Sequence, residues 1–150
     1  MAKEKNTVKI SRQRLIPFLT ESLGIESIHR PPTELEIGAA ERFLSLDYVT
    51  IEDVAAFVGI YAPDAKLRFR PGMNVKVGLH YPMRGGEPVE ACLRNILINT
   101  DTASPYMTHI EYETLHPFTD CNGRSGRMLW LWKMLQQNRL IAGLSFLHSW

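Results

Sequence analysis

Residues 116–127 read His-Pro-Phe-Thr-Asp-Cys-Asn-Gly-Arg-Ser-Gly-Arg, and the apolar run Met-Leu-Trp-Leu-Trp-Lys-Met-Leu follows over 128–135. This is the pattern of a polar loop feeding the N-terminus of a helix, expected over about 123–138. A histidine, a carboxylate, an Asn-Gly turn and two arginines are crowded into the loop. Free N–H groups and the helix dipole attract anions at such an end, so a polyanion is the ligand these residues suit.

Each residue carries a specific expectation. Pro117 biases His116 away from helical geometry and ends the preceding helix there. The imidazole of His116 either accepts a proton near neutral pH or simply satisfies a local carbonyl. Phe118 reads as a core anchor for the loop. Asp120 is a turn or N-cap carboxylate, or a ligand for Mg²⁺, which commonly shares a carboxylate with substrate phosphates. The amides from Cys121 through Asn122 and Gly123 to Arg124 suit a concave anion nest. Arg124 and Arg127, three apart, project near one helix end, where the dipole disfavours cations unless they clamp an anion. Gly126 leaves room for another backbone or a ligand. A zinc site from His116, Asp120 and Cys121 with His80 or His109 lacks supporting spacing.

Working outward, helices are expected over about Tyr106–Leu115 and Glu87–Thr100. Before them the period changes. Val75, Val77, Leu79 and Tyr81 alternate with Lys76, Gly78 and His80, the signature of a strand with one apolar face. Leu67–Arg70 precedes it across Pro71-Gly72, which predicts a small hairpin lying against a helical body. A helix from Thr50, with Asp53 near its start, buries Val54, Phe57, Val58 and Tyr61. Thr33 and Glu36 form a capping box for a helix with Leu35, Ala39, Phe43 and Leu46 on one stripe. Leu15–Ile28 is helical, with Leu15, Phe18, Leu19 and Leu23 on one side, Gly24 as a weak point and Pro31-Pro32 as the stop. The expected fold is mainly α with one small β-hairpin.

Composition sets the frame. The chain has 150 residues, 45% apolar and 22% charged, which fits a single globular domain over 1–150. A net charge of +1 provides no field for nucleic acid or an anionic membrane. The basic residues within 1–14 read as a flexible, solvated terminus. Cys92 and Cys121 make no disulfide framework or CxxC pair, so a reduced, cytoplasmic setting is expected. No apolar run reaches membrane-span length, and the N-terminus lacks a signal-peptide core.

His116–Arg127 resembles the Fic signature His-x-Phe-x-Asp/Glu-Gly-Asn-Gly-Arg-x-x-Arg at every specified position except Cys121. Fic proteins typically transfer AMP from ATP to a hydroxyl side chain of a target protein, releasing pyrophosphate. The resemblance implies a Fic-type helical bundle with the hairpin as a flap before the motif loop. It makes His116 the base for a target Ser, Thr or Tyr hydroxyl, and Asp120 the holder of Mg²⁺ between the α- and β-phosphates. Amides around Asn122 and Gly123, with the Asn122 side chain, bind phosphates, and Arg124 and Arg127 neutralise the β- and γ-phosphates. Val75, Val77, His80 and Tyr81 of the flap register the target segment by strand addition. Glycine at position 121 would take positive φ freely, whereas a Cβ there costs roughly 1–2 kcal/mol. The related Doc kinases carry alanine at that position and Lys-Arg after the asparagine; Gly123-Arg124 here favours AMP transfer.

Ser22-Leu-Gly-Ile-Glu26-Ser27 resembles the family's inhibitory helix, Ser/Thr-x-x-x-Glu-Gly/Asn, departing at Ser27. By that likeness Glu26 pairs with Arg127 and holds the enzyme autoinhibited. The expectation is an autoinhibited, Mg²⁺- and ATP-dependent protein adenylyltransferase. Transfer of another phosphate-containing moiety on the same fold, or a catalytically weak nucleotide-binding interaction module, are the alternatives. Oligomeric state stays open, a homo-oligomer being one option.

Overall fold

A computed structural model describes residues 9–99 and 102–139. Six helices account for most of it: α1 Arg12–Ile25, α2 Glu34–Leu44, α3 Ile51–Tyr61, α4 Glu87–Ile98, α5 Pro105–Leu115 and α6 Asn122–Gln136. The chain is mainly helical. Residues 1–8 of the expected basic terminus lie outside the described residues. Arg12–Arg14 are not a solvated tail: they open α1, and Arg12 ion-pairs with Glu34 and Glu41 on α2.

Helix starts follow local chemistry. The Thr33–Glu36 capping box forms reciprocally at α2, and Thr50 and Asp53 form a second at α3. Ser104 caps α5 by accepting the Met107 N–H at 3.1 Å. The α3 stripe Val54, Phe57, Val58 and Tyr61 is buried as expected. On α2 the expected stripe is rotated. Ala39 and Phe43 are buried as expected, but Leu35 is 71% exposed, and Ile37 and Ala40 join the buried face in its place.

The centre of the fold is α6. Nearly every residue from Asn122 to Lys133 is buried, as befits a helix enclosed on all sides rather than amphipathic. Around it pack α5, α2, α1 and α3. Phe18 of α1 stacks on Trp130 at 6.3 Å, and Trp132 Nε1 donates to the Leu46 carbonyl at 2.8 Å. This central position buries the motif's helix while leaving its N-terminus at a cavity.

The expected hairpin pairing of 67–70 with 75–81 does not form among the described residues. Leu67 bridges Phe118 of the motif loop instead, and Val77 bridges His80 around a tight Gly78-Leu79 turn, Gly78 having φ 59°. The segment before the turn is tied down elsewhere: Arg68 donates its N–H to the Pro117 carbonyl at 2.9 Å, and Thr119 donates to the Lys66 carbonyl at 2.9 Å. Leu79 and Tyr81, expected on an apolar face, are 94% and 71% exposed. The alternation predicted a single strand over 75–81; the chain instead turns back at Gly78-Leu79, and the motif loop takes the backbone groups of Lys66 and Arg68. Among the described residues no helix is long and apolar enough to cross a membrane.

Candidate active site

His116 ends α5 in the left-handed conformation, φ 52° and ψ 63°, rather than in the extended region its proline neighbour favours. Two contacts hold it there. Its N–H donates to the Tyr112 carbonyl at 2.9 Å, and its carbonyl accepts from Arg68 Nε at 2.6 Å. Nδ1 lies 3.0 Å from the Glu113 carbonyl. A carbonyl only accepts, so Nδ1 carries the proton and Nε2 keeps the lone pair.

Arg68, which gave no periodic signal in the sequence, is fully buried. Besides His116, its guanidinium serves the carbonyls of Leu115, Met83 and Met73. A cation at the C-terminus of α5 meets the negative end of the helix dipole. Burial draws the Arg68 guanidinium below its ordinary pKa. One side chain thus ties the end of α5 to both ends of the 73–83 segment.

The loop itself is closed by Asn122. Its Oδ1 accepts the Phe118 N–H at 2.9 Å, and its Nδ2 donates to the Phe118 carbonyl at 2.8 Å. The side chain expected to reach a phosphate therefore brackets the loop instead. Phe118 is buried, the anchor it was expected to be. Cys121 follows at φ 68°, the left-handed value for which the Cβ is a burden. Its N–H is taken by Asp120 Oδ1 at 2.7 Å, so it leaves the expected nest. The N–H groups of Asn122, Gly123 and Arg124 form the free first turn of α6, and no hydrogen bond reaches them among the described residues. Burial pushes the Cys121 thiol up to about 12, so it stays protonated and is no nucleophile.

A cavity of about 380 Å³ opens over this turn, lined by His116, Asp120, Gly123, Glu26, Val75 and Val77 among others. Most of the expected site is gathered there. The Asp120 side chain is 69% exposed. With Oδ1 engaged by Cys121 and 3.6 Å from Arg124, its second oxygen is open to a hard cation that finds its other ligands in phosphate and water. Among the described residues no group of three or more His, Cys, Asp or Glu side chains is arranged to hold a metal ion. His80 faces away, its Nε2 at 2.9 Å from the Thr114 carbonyl.

The two arginines lie behind the turn. Arg124 reaches the Tyr61 carbonyl at 3.2 Å while its Nε has no hydrogen bond among the described residues. Arg127, fully buried, donates from Nε to Ser22 Oγ at 2.8 Å and from one terminal nitrogen to the Ser22 carbonyl and the Glu26 carboxylate at 2.9 and 2.7 Å. Its other terminal nitrogen has no hydrogen-bond partner among the described residues. Glu26 meets the α6 N-terminus so closely that a Cβ at Gly123 would strike its carboxylate. The expected Glu26–Arg127 pair is present, and an anion already sits where the helix dipole draws one.

Ser27 is where the sequence departs from the inhibitory-helix pattern. It takes φ 62°, and the Ser27 and Ile28 N–H groups return to the carbonyls of Gly24 and Leu23 at 3.0 Å each. That is a Schellman ending, where glycine or asparagine is favoured. Gly126 also differs from expectation: it makes room for Tyr112 and Glu113 of α5 rather than for a ligand. No family model matches the chain.

Proposed function

We propose that this chain is a Fic-type protein adenylyltransferase, transferring AMP from ATP to a Ser, Thr or Tyr hydroxyl of a target protein and resting with Glu26 over its phosphate site. One observation carries the reading. A histidine with a free Nε2, an exposed carboxylate and an unpartnered helix N-terminus share one cavity, with a glutamate ion-paired to the motif's last arginine at its edge.

Phosphoryl-type transfer needs in-line positioning and charge neutralisation more than covalent catalysis. His116 Nε2 takes the proton of the target hydroxyl, whose oxygen attacks the α-phosphorus as the bond to pyrophosphate breaks. Such a base adds roughly 10²–10⁴ in rate. The first-turn amides of α6 bind phosphate oxygens, and Arg124 and Arg127 meet the departing charge. Asp120 would hold Mg²⁺, which when bound neutralises neighbouring phosphates. Val75 and Val77 line the cavity and suit a flap that aligns the target, with His80 and Tyr81 at its turn. While Glu26 holds Arg127, a γ-phosphate competes with a carboxylate for the same guanidinium.

Incubation with α- or γ-labelled ATP and Mg²⁺ tests the reading in a Glu26→Gly background. Label on protein from the α position, lost in His116→Ala, is the expected result. Label from the γ position alone would point to phosphate transfer instead. ATP binding with no transfer would leave a nucleotide-binding module. Equal α-labelling with and without His116 overturns the assigned base.

A further inference from the structure

Beneath His116 lies a carboxylate that the reaction above does not use. Glu113, one turn earlier on α5, is 2% exposed. Its Oε1 is 3.4 Å from His109 Nε2, and its Oε2 is 4.0 Å from His116 Nδ1. Each contact is an ion pair only when its imidazole is protonated, neither is a hydrogen bond, and His109 is fully buried. An ionised carboxylate this enclosed is costly unless a cation stands beside it. Helix α6 is shaped to admit it. A Cβ at Gly126 would collide with Oε1 and stand 3.1 Å from the Glu113 carboxyl carbon. A glycine in a buried helix interior is unfavourable against alanine, so its place here answers to the neighbour it admits.

We propose that Glu113 is the positioning residue of His116: a carboxylate shared between His109 and His116 that stabilises the imidazolium formed when Nε2 takes the hydroxyl proton. It deepens the AMP-transfer reading and rests on it for the meaning of that proton. The hydroxyl O–H bond breaks and an Nε2–H bond forms. The oxygen's electron pair bonds phosphorus, and pyrophosphate leaves with the electrons of the bond that breaks. Glu113 exchanges no atom; its negative charge faces the new cation from the Nδ1 side. In a hydrolytic triad a carboxylate orients the histidine through Nδ1; here the Glu113 backbone carbonyl does so, and the side chain supplies charge alone.

The groups facing Glu113 can be named. From α5 they are His109, Tyr112 and His116. From α6 they are Gly126 and Ser125, which holds the Tyr112 hydroxyl at 2.6 Å, with burial keeping that phenol neutral. Glu26, Asp120 and Lys76 line the same cavity. None of the last three contacts the Glu113 carboxylate by an ion pair among the described residues.

The test is titration of the ¹⁵N-labelled imidazoles by NMR in the unliganded protein, which needs no turnover. In the wild type, His109 and His116 should titrate as a coupled pair, with Nδ1–H as the neutral tautomer of His116. Glu113→Gln should lower the His116 pKa by about half a unit or more, because it removes the anion that favours the charged ring. Glu113→Asp should keep most of that pKa. With α-labelled ATP, Glu113→Gln should reduce kcat about tenfold or more with KM for ATP unchanged. Independent single-site titrations in the wild type, or identical His116 curves in wild type and Glu113→Gln, overturn the proposal. Absence of AMP transfer from every form, with the coupled titration intact, overturns the functional reading but not the coupling.

Discussion

Arg127 and Glu26 meet at 2.7 Å across 101 positions of sequence, joining the first turns of α6 to the last turn of α1. Ser22, one turn before Glu26, accepts from Arg127 Nε through its hydroxyl and from the Glu26-bound terminal nitrogen through its carbonyl. The guanidinium is fully buried while the Glu26 side chain is 35% exposed. A ligand anion therefore reaches the pair from the glutamate side, and displacing Glu26 leaves Arg127 held in place by Ser22.

Glu26→Gly should raise AMP transfer about tenfold or more, because it frees the Arg127 guanidinium and uncovers the first-turn amides for phosphate. Incorporation of α-labelled ATP per minute is the measurement. Equal rates in both forms would refute the brake.

Ser27→Gly should stabilise the fold. Relief of a left-handed Cβ is worth roughly 1–2 kcal/mol, and glycine's extra unfolded-state freedom takes back about 0.5–1. A net gain of up to about 1.5 kcal/mol should appear as a higher denaturation midpoint, and as slower transfer because Glu26 is held more firmly. A lower midpoint contradicts the assigned helix ending.

Asn122→Ala strips two partners from the buried Phe118 peptide groups, each loss being worth roughly 1–3 kcal/mol. Chemical denaturation should show a fall of about 2–6 kcal/mol. Asn122→Asp should not rescue it, since its second oxygen would face the Phe118 carbonyl where Nδ2 donated. Full rescue by aspartate would mean the amide does not bracket the loop.

The thiols should separate cleanly. Cys121 is buried and its pKa is pushed to about 12, whereas Cys92 is partly accessible. Iodoacetamide at pH 8 should label Cys92 and spare Cys121 until the protein is unfolded. Early alkylation of Cys121 in the native protein, mapped by mass spectrometry, would show the motif loop opening.

Glu36 gives the fold an acid-sensitive joint. Burial alone raises its pKa, but hydrogen bonds from Arg30 and the Thr33 capping box outweigh this, and the net shift is downward from 4.5. A depressed carboxylate contributes stability above its unfolded value, and that contribution is lost as pH falls through the folded one. The denaturation midpoint should fall more steeply below about pH 4.5 in wild type than in Glu36→Gln. Parallel curves would show that the pair contributes nothing.

Much of the architecture was readable in the sequence because it is set locally. Capping chemistry placed α2, apolar periodicity placed the buried faces of α1 and α3, and Pro117 marked the break between α5 and α6. Leu35 and the hairpin show the limit. Which apolar face is buried, and which chain an extended segment pairs with, depend on neighbours that arrive from elsewhere. Val75–Tyr81 read as extended, but the partner of Leu67 was the motif loop itself.

The sequence alone determined the chemistry available: the spacing of His116, Asp120, Arg124 and Arg127, the glycine where Glu26 must approach, and the helix that presents them. Tertiary structure alone decided how each group is used. It turned Asn122 inward, set Arg68 beneath His116, brought Ser22 and Glu26 to Arg127, and placed Glu113 between two histidines. Spacing along a chain fixes which groups share a turn. Only packing decides which buried donor meets which acceptor, because each such group must find its partner among whatever the fold brings near.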